Sequence, residues 1–582
     1  MQRGGPRSDT AAVPVWGRPR RVQHGQRLHV RGVLRPPEGA RRHRGEERVA
    51  RQCNDDGQPD RPVRHLAAGA RARAASPLPH FRRRPRGQAM SREPDADVLV
   101  IGSGAAGAAI CSRLAGRGAR VTCLEQGEWV DRARLPKSHP DWEVRGRRYW
   151  AANPNVRRWP ADYPVSSEGQ DPIDVYMYNA VGGSQIGFAG NYWRMAPSDF
   201  KVRSLDGVGA DWPFDYEELA PYYAINEAEV GVAGLAGDPC GPPREPLPNP
   251  PAPIGRPGQL LVNAYEKLGW YWWPTEQAIT TRPYRGRPAC DNRGWCTFGC
   301  PQGSLSTADL TYWPGALKNG VDLRTQARVG EIVIGEDGRA LGARYYDQDG
   351  VVREARAAVT VVACGGLGTP RLLLMSTSPS HPDGLANSSG LVGKNLMVHV
   401  QSFATGLFEE PVDGWNGTWG GTVSTRQFYE TDPARDYLRG FIMSGCRGWS
   451  PLNLALQIAP WGSGHHRAFD ERINHEISLY LCGEDLPEES NRVELDWDHL
   501  DGFGMPGVVT HHELNDNSRR LGRDMIGHAH QVLEAAGARS VRDFGLAPIW
   551  GWHLLGTARM GDDPRTSVAD RFNRAHDVPN LF

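Results

Sequence analysis

Apolar residues along the chain form short runs and helical stripes separated by glycine and proline. Residues 98–101 are an apolar run rich in β-branched side chains, the pattern of a strand buried on both faces. The run meets Gly102-Ser103-Gly104-Ala105-Ala106-Gly107. Ala108, Ile110, Cys111 and Leu114 then recur at helical spacing until Gly116 and Gly118 stop them. Val121–Leu124 reads as a second strand and ends on Glu125. Farther on, Asp211-Trp212-Pro213 leads into an N-capped helix over Tyr216–Val230 that Pro221 should interrupt. Residues 239–257 hold nine prolines and read as a linker or surface loop. Residues 321–364 alternate strand patterns with turn signals at Glu336-Asp337-Gly338 and 347–350. They close on a buried run that meets glycines, after which Thr369-Pro370 should start a helix over 371–375. Residues 400–545 mix short strands with polar loops, as a substrate-binding sheet might.

The first glycine cluster has a chemical reading. Gly102 permits the tight turn, Gly104 lets the backbone approach a pyrophosphate, and Gly107 lets helix and strand pack closely. The phosphates would meet the free N–H groups and positive end of the helix. Glu125 lies 18 residues beyond Gly107, where an acid can hold a ribose hydroxyl. Strand, turn, helix, strand and acid in this order predict a dinucleotide; the alternative is a βαβ unit without a ligand. Val181-Gly182-Gly183-Ser184 is a second glycine loop, able to pass closely over a flat ligand or to be an ordinary turn.

Charge divides the chain. Residues 1–89 hold 21 Arg, no Lys and 7 acids, which leaves the remainder at a net −13 and argues against a nucleic-acid partner. The arginine-rich stretch could be a nucleic-acid arm or a transit peptide. Its composition fits better a disordered extension read upstream of the natural start, with Met90 at that start, and it should contribute nothing to folding. No apolar run reaches the length of a membrane span and no secretory signal is evident, so a cytoplasmic protein is expected.

Cys290, Cys296 and Cys300 stand close in sequence but match no four-cysteine spacing, and are expected to be free buried thiols with no metal. His465-His466, His475-Glu476 and His511-His512-Glu513 lack an i, i+4 pair and read as surface residues. The cluster Trp270-Tyr271-Trp272-Trp273 could stack on a sugar but fits a core as well.

Five segments in order resemble the glucose–methanol–choline (GMC) family of flavin oxidoreductases over residues 96–582: GSGAAG with Glu125, VGGSQIGFAGNYWRMAPSDF (181–200), VVACGGLGTPRLLLMS (361–376), LVGKNLMVHV (391–400) and WHLLGTARMGDDPRTSVAD (552–570). The cysteine loop and DWPFDYEELAPYY (211–223) are similar to the gluconate and sugar dehydrogenase branch. The resemblance implies an α/β fold: a discontinuous, Rossmann-like FAD-binding domain (90–225, 286–392 and 545–582) and an α+β substrate domain with an antiparallel sheet (226–285 and 393–544). It places Gly102, Gly104 and Gly107 on the pyrophosphate, Glu125 at the adenosine ribose, and Gly182, Gly183 and Ser184 along the flavin, with Ala105, Ala106 and Gln126 also binding the cofactor. Val329 would meet the adenine and Gly365 would also line the cofactor. His553, in H-x-x-G-T-x-x-M, matches the catalytic base.

The implied reaction is FAD-dependent oxidation of a CH–OH group in a sugar, sugar acid or polyol, with electrons passed to an unidentified acceptor. An unperturbed histidine titrates near pH 6.5, which suits a base. In three-iron members of the branch a further cysteine occupies the position of Asp291, so no iron–sulfur cluster is expected. Family members continue past the position of Leu581 with an N-P motif bearing a second catalytic His or Asn. On that comparison the chain is expected to be truncated and a poor catalyst, and the competing reading is an inactive remnant with weak or no flavin binding. A nicotinamide dehydrogenase would share only the first glycine loop.

Overall fold

The computed structural model describes residues 94–414, 417–546 and 549–582; the extension read at 1–89 lies outside them. β1 (Ala96–Ile101), α1 (Ala105–Ala115) and β2 (Val121–Leu124) form a parallel βαβ unit in which Val98 lies opposite Val121 and Ile101 opposite Leu124. β3 (Asp322–Arg324) extends the sheet beyond β2. β4 (Arg328–Ile334), β5 (Ala340–Tyr346) and β6 (Val352–Val362) run as an antiparallel meander that returns β6 to β1, in the order β3-β2-β1-β6-β5-β4. Side chains alternate across this sheet, and both faces are covered, as the apolar run of β1 requires. Val100, Val121 and Cys123 pack with Ala108, Cys111 and Trp313, whereas Leu99, Ile101 and Leu124 share a core with Leu372 and Leu373 of α2 (Gly365–Met375).

The inner half of β6 lies between β1 and residues 580–582. Thr360 donates its N–H to the Asn580 carbonyl at 3.0 Å, and Val362 donates to Phe582 at 2.7 Å. Buried Asn580 clips the neighbouring strands together. Its Nδ2 donates to the carbonyls of Ala340 and Ala358, each at 2.8 Å, and its Oδ1 accepts from the Ala340 N–H at 2.9 Å. Asn580→Ala leaves these buried groups unpaired and is expected to cost about 1–3 kcal/mol. Chemical denaturation of variant and parent checks this; equal midpoints would refute it.

The second sheet is antiparallel. β7 (Val400–Leu407), β8 (Val423–Thr425), β9 (Phe441–Cys446), β10 (Glu476–Gly483) and β11 (Ser540–Asp543) take the order β11-β7-β10-β9-β8, with Trp273–Pro274 at the far edge. One face (Val400, Ala404, Met443, Leu479, Leu481) packs on Leu521, Met525, Ala529, Val532 and Leu533 of α3 (Asp516–Ala535). The other face carries Gln401, Phe403, Tyr480, Cys482 and Ser444.

Three sequence expectations need correction. Residues 400–545 hold a 20-residue helix, α3, whose N-cap Asn515 accepts the Ser518 N–H at 2.8 Å. The helix Tyr216–Val230 continues through Pro221, which forfeits one bond near its start. α2 likewise begins at Gly365, ahead of Thr369-Pro370, and encloses Pro370.

Candidate active site

The two glycine loops touch, and the glycines are what allow it. Gly102 has φ +98°, and a Cβ there would stand 2.5 Å from the Ala363 oxygen; one on Gly107 would stand 2.0 Å from the Gly102 oxygen. Gly183, at φ +60°, backs onto Gly104, so that a Cβ on Gly183 would lie 2.8 Å from the Gly104 Cα. Gly182 donates its N–H to the Ser103 carbonyl at 3.2 Å. Space remains in front of Gly104, where an added Cβ would meet nothing nearer than 3.8 Å. Exposed Ala105 and Ala106 open α1 beside that space, where helix N–H groups lack intrahelical partners. Ser184 accepts the Tyr178 N–H through its Oγ at 3.2 Å.

Glu125 is buried at the end of β2. Its carboxylate accepts the Ser103 N–H at 2.9 Å, the Ser103 hydroxyl at 2.6 Å and the Gly127 N–H at 2.9 Å. Burial pushes its pKa up, and these hydrogen bonds oppose the rise. Gln126 donates to Asn179 at 2.8 Å. The Ala327 N–H bonds the Glu125 carbonyl at 2.8 Å, which brings the start of β4, and with it Val329, against the end of β2.

His553 approaches from the far end of the chain. Met397 and Leu555 exchange both backbone hydrogen bonds, at 3.0 and 3.1 Å. Two residues along this antiparallel pair, His399 stands opposite His553, and the imidazoles meet edge to face with centroids 5.0 Å apart. The glycine and threonine of the His553 motif are structural. A Cβ on Gly556 would lie 2.0 Å from the Asn395 oxygen, and the Thr557 hydroxyl donates to Gly366 at 2.7 Å. A Cβ on Gly366 would in turn lie 2.3 Å from the Leu554 oxygen. The turn at 363–366, which includes Gly365 at φ +73°, therefore touches both the first glycine loop and the segment bearing His553.

Nδ1 of His553 is buried without a hydrogen-bond partner. Burial, then the neighbouring His399, pushes its pKa down to about 3, far below the near-neutral value expected for an unperturbed side chain. The imidazole is thus neutral throughout the physiological range. Cys482 joins the pair, with one ligating atom of each residue within 4.8 Å of the others. These are donors a soft cation accepts. Beyond them Phe403 is ringed by Tyr480 and Trp550 at 5.3 Å, Trp449 at 6.1 Å and Trp419 at 6.4 Å.

Models of the GMC oxidoreductase family match residues 251–401 and 487–582. A 2-methyl-1,2-propanediol dehydrogenase from Mycolicibacterium austroafricanum is 42% identical over 497 residues, which cover 84% of this chain and 89% of that protein. The chain belongs to the GMC oxidoreductase family. The large subunit of a Gluconobacter japonicus fructose dehydrogenase is 30% identical, over 85% of the GMC chain and 93% of the subunit. Among solved structures, pyridoxine 4-oxidase from Mesorbium loti superposes with a TM-score of 0.56 at 18% identity, and an Aspergillus oryzae formate oxidase studied for modification of its FAD with 0.59 at 15%. Each covers 84% of the GMC chain, and 93% and 92% of its own. These likenesses show the fold: a Rossmann-like α/β layer with an antiparallel second sheet. Among the described residues no helix is long and apolar enough to cross a membrane.

Other residues singled out by the sequence take the following places in this GMC oxidoreductase. His512 and Glu476 are buried rather than on the surface; His512 faces Asp485 at 3.4 Å and the Asp171 carbonyl at 3.1 Å. The thiols of Cys290, Cys296 and Cys300 are half-buried. Trp270 packs on Phe428 with centroids 4.9 Å apart, as a core residue does.

The depressed His553 pKa has a consequence for stability. Between the unfolded value near 6.5 and the folded value near 3, the unfolded chain binds the additional proton, so stability falls as pH drops through this window. From pH 7 to pH 5 the loss attributable to His553 is about 2 kcal/mol. His553→Gln should flatten the fall in melting temperature over that range; a variant that tracks its parent would refute the assignment.

Proposed function

We propose that the chain is an FAD-dependent dehydrogenase acting on a CH–OH group of a polyol, diol or sugar. The observation that carries the reading is a neutral His553 imidazole, unpartnered at Nδ1, on a segment that packs against the same turn as the glycine loops. The residues present fit FAD: space before Gly104, free helix N–H groups at Ala105 and Ala106, a second backbone loop at 182–184, and a buried carboxylate at Glu125 where a ribose would lie. FAD supplies the hydride acceptor when bound there.

The chain's own residues orient the alcohol and move the proton. With Nδ1 sealed, the Nε2 edge of His553 accepts the hydroxyl proton. A base of such low pKa suffices if proton loss accompanies departure of the hydride. Hydride loss turns a carbinol into a protonated carbonyl, a far stronger acid than imidazolium. The aromatic ring around Phe403 excludes water and offers apolar faces to the carbon skeleton. The 42% identical propanediol dehydrogenase and the fructose dehydrogenase subunit support a vicinal diol or polyol as substrate.

The test is to purify the full chain, identify any released flavin, and follow dye-coupled oxidation of 2-methyl-1,2-propanediol, fructose and gluconate. FAD and oxidation of at least one of the three are expected. A protein that holds no flavin, or that oxidises none of them, overturns the reading.

A further inference from the structure

We propose that His399, Cys482 and His553 form a binding site for zinc, and that the bound ion silences the enzyme by occupying its base. The binding half stands on the side-chain cluster alone, and the silencing half rests on the function reading above. Three segments far apart in sequence bring the donors together. Met397 and Leu555 pair through both backbone hydrogen bonds and set His399 opposite His553, with ring centroids 5.0 Å apart. On the other side β7 pairs with β10, where Cys482 stands opposite Gln401, two residues along from His399. One ligating atom from each side chain lies within 4.8 Å of the others. Each imidazole also has a buried Nδ1 without a hydrogen-bond partner, a cost that packing leaves unrelieved.

Two imidazole nitrogens and one thiolate suit zinc, and they discriminate against magnesium and calcium, which seek oxygen. Zn–N bonds of about 2.1 Å and a Zn–S bond of about 2.3 Å put tetrahedral ligands roughly 3.4–3.6 Å apart. Rotation of the side chains about their own bonds can close the spacing to that range. On binding, the thiol gives its proton to water and its sulfur lone pair to the ion. Three protein donors leave a fourth position for water, as open zinc sites do, and zinc itself is neither oxidised nor reduced. Inhibition then follows from the imidazole. A neutral ring has one nitrogen with a free lone pair and one that carries hydrogen. Once the ion holds the lone pair of His553, from whichever nitrogen, nothing remains to accept the hydroxyl proton.

The test uses the full chain with its flavin, zinc chloride as the probe and magnesium chloride as the control. Equilibrium dialysis with elemental analysis measures bound metal, and dye-coupled polyol oxidation measures turnover. The parent should bind one zinc more tightly than Cys482→Ser does, by at least the roughly 10–100-fold that loss of an outer-shell partner costs. His399→Asn, which tolerates the left-handed backbone at φ +76°, should lose affinity on the same scale. Zinc at saturation should suppress parental turnover by roughly 10²–10⁴, the scale for losing the base. EDTA should reverse the effect, and magnesium should not reproduce it. Metal-free Cys482→Ser should turn over within threefold of the parent and resist zinc at concentrations that silence the parent. Equal zinc affinity in the parent and both variants overturns the inference, as does parental turnover that zinc leaves unchanged. Loss of flavin or of stability in both Cys482→Ser and Cys482→Ala also overturns it, in favour of a packing role for the thiol. A parent that binds zinc through these residues but oxidises no polyol brings down the function reading and leaves the metal site standing.

Discussion

His553→Ala is expected to lower turnover by roughly 10²–10⁴, the range for removing general-base help, while FAD content stays intact. Nδ1 of the imidazole has no hydrogen-bond partner, and the backbone is held by Leu555, Gly556 and Thr557, so the truncation should leave the surrounding chain in place. The loss should fall on kcat more than on KM, because proton acceptance matters most as the hydride departs. The neutral state of the base adds a second signature. With a pKa near 3, His553 should impose no loss of kcat between pH 8 and pH 6, unlike a histidine titrating near 6.5. Turnover of the variant within twofold of the parent would show that another group takes the proton. A sharp decline of the parent below pH 7 would show that His553 charges more easily than its burial implies.

Gly104→Val should abolish FAD binding without unfolding the chain. The two halves of that expectation come from the same measurement: a Cβ at Gly104 finds its nearest neighbour 3.8 Å away, at the Gly183 Cα, an ordinary van der Waals contact, and so fits without a clash in the space between the two glycine loops. That space, at the mouth of α1, is where a pyrophosphate would sit against the helix N–H groups, and a branched side chain fills it. Gly102 and Gly107 behave differently, since a Cβ at either would strike backbone at 2.5 or 2.0 Å and damage the fold itself. The measurement is bound flavin per chain alongside a melting curve. Normal flavin stoichiometry in the variant would defeat the assignment of the loop.

What the sequence disclosed follows from how narrowly each position is constrained. The βαβ unit was legible because close backbone approach admits only glycine at 102 and 107, and because β1 is apolar on both faces. The motif singled out the segment bearing His553, although the reasons for its glycine and threonine, contacts to Asn395 and Gly366, appear only in three dimensions. His399 lay within a recognised segment yet drew no role, because its placement depends on a pairing with residues about 150 positions away. The faces of β7 and β10 were hidden for another reason: both sides of that sheet are covered, which erases the alternation that marks a half-exposed strand. α3 was overlooked although it has an Asn cap and an apolar stripe, because the surrounding turn residues dominated the local pattern. The depressed pKa of His553 could not be read at all, since it arises from burial and from one neighbouring ring.

The pairing of β1 with β6 governs how the chain is made. Cys364 reaches the Ile101 carbonyl across 263 residues, and Gly102 is walled by Ala363. At a synthesis rate of roughly 5–20 residues per second, the first glycine loop leaves the ribosome some 13–50 s before the strand that shapes it. During that interval β1 presents an unsatisfied edge, the kind of surface that recruits chaperones or other nascent chains. The segment bearing His553 follows later still. A cofactor held at the first glycine loop would therefore load only after residue 364 has been made, and slow docking of β6 would lengthen the time the newborn chain is open to aggregation.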